Sequence, residues 1–173
     1  MPRQAMLKIL LCILFLFFSN LVVASAPELF NYTEQESKTN LLQKGQVLEV
    51  VNGSFPRNSF EVDAWLQGKQ PQTRTTFFGG SFWFVIHLEN KTDLNELVLY
   101  PYNTLLSKIE TRIYDMSDAE QPVKRYETGG LSPNEFAFHY GNKVQLTPGT
   151  PYILIAKFQS DYFYTPPKLV LEP

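Results

Sequence analysis

The stretch FWFVIHLEN, running from Phe82 to Asn90, constrains the fold more than any other part of the chain. Successive side chains of a strand point to opposite faces, so Phe82, Phe84, Ile86 and Leu88 form one row and Trp83, Val85, His87 and Glu89 the other. The first row is apolar throughout and belongs in a core between two sheets. The second begins apolar and ends polar, so that face is expected to be covered at one end and wet at the other. Trp83 is then either a filler of the covered end or part of a ligand platform, and the filler reading is favoured because tryptophan is usually well buried in a sandwich.

The rest of the chain repeats this signal in shorter form. Strands are expected at Gln46–Val51, Phe60–Leu66, Thr75–Phe78, Phe82–Asn90, Glu96–Tyr102, Lys108–Tyr114, Val123–Glu127, Phe136–Leu146, Tyr152–Gln159 and Lys168–Leu171. Turn signals fall between them at Asn52-Gly53, Gly79-Gly80, Asn90 to Asp93, Gly129-Gly130, Ser132 to Asn134 and Pro148-Gly149. Short runs rich in β-branched and aromatic residues at this spacing predict an all-β sandwich. One polar helical segment is expected near Thr33 to Gln43. No internal repeat or interior linker divides the chain, so residues 45–173 are read as one domain preceded by an N-terminal extension at 25–44.

The beginning of the chain has a different character. Arg3 and Lys8 precede the apolar run ILLCILFLFFSNLVV, and small residues follow at Ala24, Ser25 and Ala26. This is the layout of a secretory signal peptide over residues 1–24, with cleavage expected after Ala24 because a cut after Ala26 would place Pro27 first. The competing reading is an uncleaved anchor, for which the apolar run is short. The single cysteine, Cys12, falls inside that run, so the mature chain has no thiol and hence no disulfide, thiolate metal site or cysteine nucleophile. A domain of this length can be held by its core alone, and an exported protein without cysteines fits the bacterial periplasm. Three sequons, at Asn31, Asn52 and Asn90, would matter only in a glycosylating host and are read as coincidence. Since Arg3 and Lys8 are two of the 15 basic residues and none of the 17 acidic ones precedes residue 25, the mature net charge is near -4. No basic run is present, which argues against a nucleic-acid partner.

From Phe82 to Leu171 the chain resembles the type 2 extracellular sensor domain of bacterial receptors with seven transmembrane helices and diverse intracellular signalling modules. The resemblance rests on FWFVIHLENKTDLNELVLY, the strand Lys108–Tyr114, the turn Glu127 to Gly130, and the final block containing VQLTPGTPYILIAKFQSD. It implies a jelly-roll sandwich akin to carbohydrate-binding modules, placed outside the cytoplasmic membrane and coupled to a seven-transmembrane signalling region. Val85 stands where the family commonly carries a basic residue after its tryptophan, and Lys157 is placed to supply a second in the last hairpin. Pro173 falls where the transmembrane region of such a receptor begins.

Catalysis has little support. His87 and His139 are the only histidines and lack metal-ligand spacing, and no glycine-flanked serine offers a nucleophile. Glu61 and Asp63 would share one face of a strand, as a paired-carboxylate or calcium set might, but a solvated face is the plainer reading. Binding has more support, because sugars stack on exposed aromatic rings while polar groups hold their hydroxyls. Trp65 is the leading platform, near the end of a strand with Gln67, Gly68 and Lys69 beyond it; Arg74 and Arg125 are candidates for charged hydrogen bonds to an acidic or hydroxylated ligand. The candidate ligand-binding set is thus Trp65, Arg74, Trp83 and Arg125, with no catalytic residue, metal or cofactor. Three functional classes compete: a periplasmic sensor of a small, carbohydrate-like molecule; an exported protein-interaction module whose partner is another protein or a second copy of itself; and, last for want of a catalytic constellation, an enzyme. A chain beginning at Ser25 should give a β-type circular dichroism spectrum and a cooperative melt unchanged by reductant, and a mainly helical spectrum would overturn the sandwich.

Overall fold

The computed structural model describes residues 28–36, 38–48, 53–69, 71, 78–102, 108–128, 141–162 and 168–173. Within them are β1 (Leu29–Tyr32), β2 (Gln46–Leu48), the helix α1 (Phe60–Leu66), β3 (Phe78–Asn90), β4 (Glu96–Tyr102), β5 (Lys108–Asp115), β6 (Lys124–Thr128), β7 (Asn142–Gln145), β8 (Pro151–Tyr162) and β9 (Lys168–Glu172). The expected signal peptide lies outside the described residues.

The chain is an all-β protein with two sheets packed as a sandwich. The main sheet runs β1-β3-β8-β5-β6, with β2 also on β3, and the smaller sheet runs β7-β4-β9. At its centre β3 and β8 are antiparallel from Phe78 opposite Tyr162 to Glu89 opposite Pro151. β1 and β2 share the free edge of β3 end to end: β1 lies parallel to His87–Asn90, and β2 antiparallel to Trp83–Val85.

The two rows of β3 separate as the alternation requires. Phe82, Phe84, Ile86 and Leu88 join Leu154, Ala156 and Phe158 of β8, Ile109 and Ile113 of β5, and the inner residues Leu97, Leu99, Val144, Leu169 and Leu171 of the smaller sheet in one core. Phe82 and Phe158 stack with centroids 4.7 Å apart and planes 7° from parallel. On the outer side Trp83 and Val85 form a second core with Ile153, Ile155, Tyr114, Leu48, Phe55 and Val62. His87 and Glu89 follow half-buried, so this face is dry toward Trp83 and wetter toward Glu89.

Four expectations are corrected. Phe60–Leu66 is a helix: the Asn58 Oδ1 accepts from the Glu61 N–H at 3.1 Å, the Glu61 carboxylate accepts from the Arg57 N–H at 2.9 Å, and Gly68 follows at φ 77°. These bonds tie the entering chain to the first turn, although the N-cap Ser59 itself makes no side-chain cap bond; a glycine falls just past the C-terminus, and seven residues of apparent alternation also put Val62, Trp65 and Leu66 on one helical face. Glu61 and Asp63 therefore do not share a face. The helix expected over Thr33 to Gln43 is two 3-10 turns, Glu34–Glu36 and Leu41–Gln43, separated by Lys38 at φ 68°. Gly79-Gly80, expected as a turn, lies inside β3, where Gly80 pairs with Ser160.

The fourth correction concerns the N-terminal extension, part of which belongs to the sandwich. Tyr32 is fully buried and its hydroxyl donates to the Leu171 carbonyl at 3.2 Å, tying β1 of the main sheet to β9 of the other. Asn40 Oδ1 accepts from Leu42 and Leu169, closing the same seam. Gly45 is required by close approach, since a Cβ there would collide with the Val85 carbonyl and the Phe84 ring.

Asn90, where the strand turns polar, is the best-satisfied buried side chain of the turns. It is 0% exposed; its Nδ2 donates to the carbonyls of Leu94 and Leu146, both at 2.6 Å, and its Oδ1 accepts from the Thr92 N–H at 3.0 Å and hydroxyl at 2.7 Å. The Asn90-Lys91-Thr92 pattern is thus an internal turn whose amide is consumed by the fold, which makes it unavailable to a glycosyltransferase in the folded protein. Asn90→Ala should cost about 2 to 4 kcal/mol in a denaturant melt, because it strands several buried partners; a loss below about 0.5 kcal/mol would remove the residue from that role.

Candidate functional site

The outer face of the main sheet is where the chain gathers aromatic rings and cations together. Its floor is Trp83 on β3 with Ile153 and Ile155 on β8, and its cover is the segment from Phe55 through α1. Phe55 meets Trp83 edge-on with centroids 4.7 Å apart, and Trp65 meets it from the helix at 5.2 Å. Trp65 is half-buried, and its Nε1 donates to the Ser54 carbonyl at 2.8 Å, which fixes the ring's orientation. Lys69 lies over the same ring at 4.0 Å, and burial lowers its pKa.

Cations line the margin of this cover. Lys157 sits 5.4 Å from the Trp83 ring centroid, and the Arg112 guanidinium carbon 4.4 Å from that of Phe55. Arg125 of β6 is directly opposite Arg112 of β5. The Tyr114 hydroxyl donates to the Pro56 carbonyl at 2.9 Å, anchoring the covering segment to β5. Burial pushes its pKa up to about 12, although Arg112 and Arg125 pull it down.

Among the described residues, three polar atoms in this layer are buried without a hydrogen-bond partner: Trp83 Nε1, His87 Nε2 and Ser59 Oγ. Buried orphans of this kind are uncommon in native proteins and call for a water, an ion or a ligand. Among the described residues no group of three histidine, cysteine or acidic side chains converges as a metal site would require.

The structure brings three of the four expected site residues to this face. Trp65 lies on a helix rather than at a strand end, half-buried with its ring edge-on to Trp83. Trp83 itself is 1% exposed, so it serves as floor and presents no ring face to solvent. Arg125 is exposed on the outer row of β6. Arg74 lies outside the described residues. Arg112, Phe55 and Tyr114 were missed; alternation in KIETRIYD already places Arg112 and Tyr114 in one row, but only the register of β5 against β6 and β8 shows what that row faces.

No protein-family model matches the chain, and no curated protein matches it either.

His87 gives the face a measurable pH response. Burial lowers its pKa below the ordinary 6.5, while Asp63 of α1 raises it by a smaller amount. A folded-state pKa below the unfolded one means that the neutral ring's contribution is complete above the unfolded value and is lost as the pH falls through it toward the folded one. The melting temperature should fall from about pH 7 to about pH 5, with a shallower slope in His87→Gln. Identical slopes for the two proteins would show that His87 is not responsible.

Proposed function

We propose that this chain is an extracytoplasmic ligand-sensing domain of a bacterial transmembrane receptor, with a jelly-roll sandwich that binds a small, carbohydrate-like molecule on the outer face of its main sheet. The observation that carries the reading is the aromatic cluster on this face: the half-buried Trp65 of α1 and the buried Phe55 stand edge-on to the buried Trp83, with Arg112, Lys157 and Lys69 against the rings. Apolar surface bordered by a few fixed polar groups is the usual make-up of a small-molecule site. The resemblance of Phe82 to Leu171 to receptor sensor domains, the leader-like N-terminus and the absence of thiols from the mature chain support the periplasmic placement. A ligand wedged at α1 would move a segment held to the sheet by few contacts, which is the low-stability kind of element that signalling uses.

A protein-interaction module is the second reading, favoured by Phe60, which is 77% exposed on α1. One substitution separates the two. Trp65→Leu keeps an apolar cover on Trp83 but removes the flat ring, so it should lower stability by only about 1 to 3 kcal/mol. Calorimetric titration against a panel of sugars and small metabolites should then show at least a tenfold loss, about 1.4 kcal/mol, for whichever compound the unaltered protein selects. Undiminished binding would place the ligand on another face, and a protein that selects nothing from the panel would favour the interaction module.

A further inference from the structure

Arg112 and Arg125 are direct cross-strand neighbours on the outer face, a placement that is destabilising for like charges. The adjacent carboxylates are shared with a third cation. Glu110 and Glu127, the next outer pair on the same two strands, are both engaged by Lys108, at 2.9 and 3.4 Å. Among the described residues, no ion pair involves Arg112, Arg125 or Lys157.

Among the described residues the arrangement is held in place without an ion pair, and the nearby Glu61 of α1 acts on Tyr114. Arg112 rests on the Phe55 ring at 4.4 Å, and Phe55 is fixed in turn against Trp83. The Tyr114 hydroxyl donates to the Pro56 carbonyl, and the charges of Arg112, Arg125 and Glu61 all act on it. Lys157 lies one residue pair further along β8, opposite Glu110 and over Trp83, whose buried Nε1 has no acceptor. Two arginines, a lysine and an indole N–H without a partner among the described residues therefore border one aromatic cluster. Guanidinium groups match the paired oxygens of a carboxylate or phosphate, and a bound anion would convert the repulsion between the arginines into attraction.

We propose that Arg112 and Arg125 clamp the carboxylate or phosphate of an acidic small molecule, with Lys157 at the edge of the site. This deepens the ligand-sensing reading and rests on it: the ligand is anionic, an acid sugar or a phosphorylated one rather than a neutral sugar.

The test is calorimetric titration of the protein with galacturonic acid, galactose and inorganic phosphate, repeated with Arg125→Gln and Arg112→Lys, beside thermal melts at low salt. Galacturonic acid or phosphate should bind, more weakly as salt rises, while galactose binds less well. Binding of galacturonic acid alone assigns the clamp to carboxylates, and of phosphate alone to phosphorylated ligands. Arg125→Gln should lower the affinity about tenfold or more and leave the unliganded protein as stable or more so, since it relieves the opposed charges. Arg112→Lys keeps the charge but loses the fork, and should also bind weakly. The proposal is overturned if galactose binds as well as galacturonic acid, if Arg125→Gln binds the anion undiminished, or if neither anion binds. In any of those outcomes, a panel ligand lost in Trp65→Leu would still support the sensing role, so the two readings fail separately.

Discussion

The antiparallel pairing of β3 with β8 is the constraint on which the rest of the structure depends. Both strands are long, and both carry apolar side chains on each face over the paired stretch, so each must be covered twice. On the inner side their rows meet the smaller sheet. On the outer side Trp83, Val85, Ile153 and Ile155 would be left against water were it not for Phe55, Val62 and α1. Burying a large apolar side chain is worth roughly 1.5 to 3 kcal/mol, and two such layers from one strand pair give a thiol-free domain the stability that disulfides would otherwise supply.

The two covers differ in kind, and this is why the candidate site is where it is. The inner cover is a sheet, whose hydrogen-bonded strands exclude water evenly and are sealed at one seam by Tyr32 and Asn40. Among the described residues the outer cover is one short helix with the irregular stretch before it, pinned by Tyr114 to Pro56 and by Trp65 to Ser54. It buries Trp83 at the centre of the face, while Arg125 toward the β6 edge is exposed. At its margin the Arg112 guanidinium and the Lys157 ammonium lie against aromatic rings, as cations do over the faces of such rings.

Much of this was legible in the residues. Alternation sorted FWFVIHLEN into an inner row and a half-covered outer row, and the strands at Glu96–Tyr102 and Lys108–Asp115 follow the same rule. Where the reading failed, two patterns competed over too few residues. FEVDAWL alternates as a strand would, yet the bonds among Arg57, Asn58 and Glu61 and the glycine after it favour about two turns of helix. β1 carried no strong signal because its pairing is parallel and depends on β3 already being in place.

The residues alone determined the fold class and the covered face, because period-two alternation is a local property that survives whatever the strands later pair with. They also marked Trp65 and Arg125 as polar-aromatic candidates. What covers Trp83, and which side chain stands beside Arg125, were decided only by tertiary structure. Strand register is set by contacts between residues far apart in the chain, and a shift of one residue would turn Arg112 into the core and leave Arg125 without its neighbour.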